Sequence, residues 1–541
     1  MQRLAVVLYL LLAFPQLTFS QQTTSNDVTP VLLPGLGNHH HAISTKNPEA
    51  QKYFDQGLKL VFGFNRAEAV RSFRRAAQLD PQAAMPHWGM ALAYGRHMNM
   101  DGDMDVQPSE AYAAIQEAIA LSATASEEEQ LYIRALAQRC SKDERADGQK
   151  LDTAYANAMS KLAQRYADDL DAAALHLEAQ MMLHRYEWFH DNMPMEGTND
   201  VVHEIEGVLR RDPDHPLVNH LYIHILDTAH PELALGSAYR LGQVAPGLGH
   251  LVHMPSHIFF NLGDYEMAAH VNEQAAAAER EYFKLANPGY TVYTLFYYMH
   301  DLHFISRARA EQGLFAEAKQ SADQLVDRIR PVQDRWPMIT DFYLSAPLLV
   351  LLRFQKWDDV LTTAEPDTKL VVSNALWHYA RTFALERKGQ RQQALAEKAV
   401  FEQIRRKMPA DTMWMSNSGT TLLSLASLVL DARLTEDSER AIEIWKQAVK
   451  AQDALPYDEP PPWYYPIRES LGAALLRAGN AAEAETVFRE CLSRNPRDPR
   501  ALFGLVETLK AEKKMDAAGW VRNEFENSWK NPELKLDLRD F

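Results

Sequence analysis

Residues 50–83 read AQKYFDQGLKLVFGFNRAEAVRSFRRAAQLDPQA, and this stretch decides the fold. Its apolar residues return every third or fourth place, the period of one face of a helix. Counted from Ala50, Tyr53, Gly57, Ala69, Phe73, Ala76 and Pro81 stand at places 4, 8, 20, 24, 27 and 32. Small residues at places 8 and 20 let two helices cross closely, and the aromatic at 24 fills the gap to whatever follows. Proline at 32 ends the second helix. Far along the chain Gly472, Ala484, Phe488 and Pro496 repeat the spacing, with Gly479 at the turn.

This pattern resembles the tetratricopeptide repeat, a helical hairpin of roughly 34 residues that stacks on its neighbours. Weaker copies are expected from His215 (Ala234, Pro246), Gly249 (Gly263, Ala268), Met299 (Gly313, Ala318) and near Ala375 (Gly389, Ala394). Their spacing exceeds the ideal repeat, so insertions separate them. The expected fold is all-α, a right-handed α-solenoid of helix hairpins with irregular spacers. Its organisation reads as a signal peptide over 1–20, a polar leader over 21–48 and an irregular solenoid over 49–455. A Pro/aromatic linker or lid follows over 456–466, and a C-terminal repeat pair over 467–541.

Arg3, the apolar run Leu4 to Phe14 and the small-residue stretch Thr18-Phe19-Ser20 match a secretory signal. The run is short for a membrane span. The mature chain is therefore expected to be exported, periplasmic or extracellular, with no membrane span after signal removal. Its 56 Lys+Arg against 72 Asp+Glu give a net charge of -16, which argues against nucleic acid as a partner. Cys140 and Cys491 lie too far apart in a solenoid to form a disulfide framework, and two separate thiols are expected.

The chemistry concentrates in histidine. His220 and His224, then His250, His253 and His257, then His300 and His303 fall at helical spacing, so each cluster points its imidazoles one way. Phased on the repeat, they belong to three successive first helices, which in tetratricopeptide solenoids line the concave groove. Neutral imidazole suits Zn, Cu, Fe and Ni, and a pair on one helix needs further ligands from another. His224, His253, His257 and His300 are the expected ligands of a divalent transition metal (Zn, Cu or Fe). Asp227 or His303 would orient or complete the site and His220 would join it, with His250 on the groove. Pro255, inside His253-Met254-Pro255-Ser256-His257, would kink the helix and fan His253 away from His257 if it lay deep in it. Trp188 and His190 are candidate pocket walls, as are Trp463, Tyr464 and Tyr465 of the segment that could close over the groove. The run His39-His40-His41 could add ligands from the leader or be merely polar leader, the second reading being preferred. Zincin, nucleophile-elbow, Walker and dinucleotide motifs are absent.

The chain resembles a family of exported bacterial tetratricopeptide proteins. The resemblance rests on the Pro48-to-Pro81 stretch, His220-Leu221-Tyr222-Ile223-His224, Gly249 through Ile258 with its His-Met-Pro-Ser-His core, Met299 through Phe304, and Pro462-Trp463-Tyr464-Tyr465-Pro466. Asp227 stands where that family has glutamate, and His87 where it has tyrosine. The resemblance implies the location of a site and names no reaction. Three functions follow as expectations. One is a binding module holding a protein, peptide or small-molecule ligand in the concave groove, with a histidine metal site built in. The second is a metal-dependent hydrolase or oxidase using the same His/Asp cluster. The third is a metal-free scaffold for cell-envelope complexes.

Overall fold

Phe73 is locked between two glycines. A Cβ on Gly57 would meet its ring at 2.6 Å, and one on Gly89 at 2.5 Å. Phe488 sits the same way between Gly472 and Gly504, where the added carbons would approach to 2.7 and 2.2 Å. Each interlock joins the two helices of one hairpin to the first helix of the next, which is how an aromatic side chain sets repeat stacking. A computed structural model describes residues 29–99, 104–143, 145–531 and 534–541. The expected signal peptide and the leader up to residue 28 lie outside the described residues.

The chain is an all-α solenoid of tetratricopeptide-type hairpins. Well-formed pairs include Pro48–Phe62 with Arg66–Leu79, Val292–Glu311 with Phe315–Ile329, and Val371–Arg387 with Arg391–Lys407. Ile467–Arg477 with Ala481–Arg494 and Pro499–Ala511 with Met515–Ser528 close the chain. The third of the expected copies starts earlier than Met299, because its first helix is extended back to a capping box at Thr291. Among the described residues the extended structure is two short hairpins, Phe189–His190 with Met193–Pro194 and Met413–Trp414 with Asn417–Ser418. No helix of the described residues is long and apolar enough to cross a membrane. Cys140 is half-buried and Cys491 buried, and both are free thiols.

Hairpin turns need one residue in the left-handed region. Gly263, Gly313, Gly389 and Gly479 supply it with φ of 74°, 81°, 73° and 85°. In the first hairpin the same place belongs to Phe64 at φ 57°, although a side chain there costs roughly 1–2 kcal/mol.

Pro255 does not fan the histidines apart. The helix breaks into Gly249–His253 and Pro255–Asn261 with Met254 still right-handed helical. Proline takes the first position of the second piece, where a missing N–H leaves no bond unmade. The turn continues in register, and His253 Nε2 and His257 Nε2 lie 2.8 Å apart.

Both ends of the chain fold onto the middle. The leader binds the first hairpin through Leu33 N–H to Gln56 Oε1 (2.7 Å) and accepts Gly247 N–H at Gly35 O (2.8 Å). The C-terminal pair meets the Gly263 turn through Tyr265 Oη to Pro496 O (3.3 Å). A buried ion network ties it further: Arg353 binds Glu311 (2.9 Å) and Glu469 (2.7 Å). Around these contacts the first helices of the central hairpins are covered on their inner side.

Candidate metal centre

Four helical pieces bring six imidazoles into the covered interior. Pro216–Leu226 carries His220 and His224, Gly249–His253 carries His250 and His253, Pro255–Asn261 carries His257, and Val292–Glu311 carries His300. They form two groups, His220/His224/His250 and His253/His257/His300, and within each the ligand nitrogens lie within 4.8 Å of one another. Each group is an i,i+4 pair from one helical stretch plus a single histidine from the next. The expected set mixing His224 with His253, His257 and His300 is thus divided, and His250 is a full member of the first group. The groove lining expected to be open is closed: His220, His224, His250, His253 and His257 are at most 3% exposed.

In the second group the outer nitrogens of His253 and His257 face acceptors. Asn272 donates its Nδ2 to Ala268 O (2.6 Å), which turns Oδ1 toward His253 Nδ1 at 2.6 Å. Asp301 stands 3.2 Å from the same nitrogen. His257 Nδ1 lies 2.9 Å from Glu459 Oε2, an ion-pair contact off the line of a straight hydrogen bond. Acceptors facing both Nδ1 atoms favour the protons there, by a hydrogen bond at His253 and by the charge of Glu459 at His257. Both Nε2 atoms then present lone pairs, and they face each other at 2.8 Å. Lone pairs so opposed repel unless a cation lies between them. A proton is a poor candidate, because burial, only partly offset by Asn272, lowers His253 to about 4.

The first group follows the same plan with fewer supports. His220 Nδ1 donates to Phe62 O (2.8 Å), and its Nε2 meets the Nε2 of His224 (3.0 Å) and of His250 (3.1 Å). Burial takes His220 down to about 3, with the Phe62 carbonyl opposing. The Nδ1 atoms of His224 and His250 are buried without a hydrogen-bond partner among the described residues.

A phenyl ring covers each group. Phe64 lies 4.6, 6.3 and 5.2 Å from the His220, His224 and His250 rings. Phe304 lies 5.2, 5.1 and 5.0 Å from His253, His257 and His300. Phe64 reaches its three from the left-handed turn position.

Two carboxyls stand beside the second group: Asp227, Glu459 and His257 bring their ligand atoms within 4.8 Å of one another. Burial beside Glu459 pushes Asp227 well above the usual carboxylate range. Burial works the same way on Glu459, but His257 overrules it and holds that carboxyl well below. Asp227 is therefore pushed toward the protonated form and Glu459 toward the charged one, a split that gives two neighbouring carboxyls different tendencies.

Other expected residues fall elsewhere. His303 turns away from His300, and its ring packs edge-on against Phe342 and Tyr343 at 5.6 and 5.8 Å. Trp188 is buried, donating to Met181 O (3.3 Å) and packed on Tyr186, whose ring is 6.3 Å from His224. His190 lies on the surface of its short hairpin, with 83% of its side chain exposed. Trp463, Tyr464 and Tyr465 pack into the core rather than around the histidines, as in the Tyr379 to Tyr464 hydroxyl contact of 3.1 Å. From that same segment only Glu459 touches the imidazoles, and sequence reasoning missed it. The leader histidines are not idle polar chain: His39 (3.0 Å), His41 (2.7 Å) and the buried His215 (3.3 Å) surround Asp171.

Residues 467–508 match the tetratricopeptide-repeat family. An uncharacterized protein of Aquifex aeolicus (strain VF5) is 42% identical over 73 residues, which are 13% of this chain and 10% of that protein. The match therefore spans about a tenth of the relative's length. Among solved structures the chain is similar to yeast Tom70, at 12% identity and TM-score 0.30, over 88% of this chain and 97% of that one. It is also similar to the P58(IPK) TPR domain, at 12% identity and TM-score 0.21, over 86% and 98% of the two chains. For Naa15/Naa10 bound to HypK-THB the values are 12% identity and TM-score 0.25, over 88% of this chain and 68% of that one.

Proposed function

We propose that this chain is a metal-binding solenoid whose interior holds a transition metal ion at His253, His257 and His300. The opposed Nε2 lone pairs of His253 and His257 at 2.8 Å carry the reading, since both outer nitrogens face acceptors. Three imidazoles and no thiolate suit Cu or Zn, and three protein ligands leave a coordination position open. Burial lowers His253, His257 and His300 and so favours their neutral, metal-binding forms. Metal analysis of the purified mature protein, with titration by Cu and Zn, tests this. Stoichiometric metal that His257→Ala loses, at unchanged helical content, is the expected result. Metal at background and no uptake on titration would overturn it.

A metal-dependent enzyme is the second reading, favoured by the paired Asp227 and Glu459 beside the open position, one pushed toward the protonated form and one toward the charged. Such a pair could give and take a proton next to a metal-bound water. Export belongs to the proposal through residues 1–20, and N-terminal sequencing of secreted protein beginning at Gln21 would support it. A protein or peptide partner would dock on the outer solenoid surface, because the histidines themselves are enclosed.

A further inference from the structure

We infer that His220, His224 and His250 hold a second metal ion, so that the six histidines form one dinuclear copper centre able to take a small bridging anion. The inference rests on the proposed metal at His253, His257 and His300 and extends it. Its first support is the repetition of plan. Each trio combines an i,i+4 pair that meets through its Nε2 atoms with one histidine from the following helix, and lies under one phenyl ring. Its second support is lone-pair arithmetic. His220 Nδ1 gives its proton to Phe62 O, so its Nε2 offers one lone pair to two neighbouring nitrogens at 3.0 and 3.1 Å. One N–H donor can occupy that lone pair, whereas one cation can be shared by all three nitrogens.

The third support is adjacency. His250 of one trio stacks on His253 of the other at 5.8 Å between centroids, and the rings of His224 and His257 are 6.3 Å apart. The two trios share a wall of imidazole with no interposed layer of side chains between these pairs. Six neutral nitrogen donors select copper over other divalent first-row ions by intrinsic affinity. Two such ions, each with three protein ligands, would have coordination positions left for a small bridging anion in this buried interior.

The experiment loads full-length mature protein with Cu(II) and counts copper per chain, then records its EPR spectrum with and without azide. Two copper ions per chain, with an EPR signal reduced several-fold below that of two independent ions, are expected because a bridge couples their spins. His250→Gln and His300→Gln should each retain one copper and regain the full signal of an isolated ion. One copper in the unmodified protein, two fully EPR-active coppers, or a variant that keeps or loses both ions would each overturn the dinuclear assignment. The single-metal reading survives any of those with copper still bound at the His253 trio. No uptake at all overturns both.

Discussion

The two histidine trios share a scaffold and differ in what stands behind the imidazoles. Behind His253 and His257 are Asn272, Asp301 and Glu459, so those rings are held from both sides. Behind the other trio, among the described residues, the Phe62 carbonyl alone hydrogen-bonds a ring, and His224 and His250 pack against Phe64, Tyr186 and Tyr297. Hydrogen-bonded outer nitrogens fix ring orientation and raise donor strength. The contrast teaches that one trio is oriented by polar partners and the other by shape. An ion in the carboxylate-backed trio should therefore bind more tightly, and the two should respond differently to the same perturbation.

Acid should produce the largest effect and should act on both trios. Burial lowers His253 to about 4 and His220 to about 3, and it lowers His224, His250 and His300 as well. In the unfolded chain these histidines charge near pH 6.5. Between that pH and the lowered values the unfolded state binds more protons, so stability is full above pH 6.5 and is lost as pH falls. Each histidine contributes about 1.4 kcal/mol per pH unit in that window. Urea midpoints of metal-free protein should fall steeply from pH 7 to pH 5, and a flat profile would show that the interior is not as dry as its burial implies.

Glu459→Gln separates the trios. It removes the charge facing His257, while Glu459 reaches the first trio only through its charge on His224. Metal affinity at the second trio should drop about 10–100-fold, the range for a lost outer partner, with a smaller loss at the first. Isothermal titration of the variant reads both. An equal loss at the two would mean that Glu459 acts on the whole interior rather than on His257.

Gly504→Ala should have the smallest effect on either trio. Its Cβ would reach the Phe488 ring at 2.2 Å, and overpacking of this kind costs about 1–3 kcal/mol. A lowered Tm with unaltered metal stoichiometry is expected, and metal loss would show that the trios depend on the far interlock.

The repeat architecture was legible because its residues act locally. Gly57, Ala69, Phe73 and Pro81 have meaning within one hairpin, and the structure uses Gly57 and Phe73 as the spacing implies. The histidines were legible as a group for the same reason, through i,i+4 pairs. Which trio each joins was not, since that depends on contacts between hairpins. His303 shows the limit: three residues after His300 on one helix, it packs against Phe342 of the next hairpin. The closed interior was also hidden, because repeat phasing marks an inner face without telling what covers it. Two local signals bear on it: Phe64 stands where four other hairpin turns have glycine, and Glu459 directly precedes the proline run of the 456–466 segment.

Glu459 follows His257 by roughly two hundred residues, yet the two side chains meet at 2.9 Å. A chain leaving the ribosome therefore delivers all six imidazoles well before the carboxylate that steadies them. Contacts of such long sequence separation form late, after the entropy of closing a large loop has been met. The histidines of a nascent chain would be a looser and more exchangeable set than those of the finished protein. Slow metal release would then be a property of the completed fold, and its onset a clock for the docking of the C-terminal repeats.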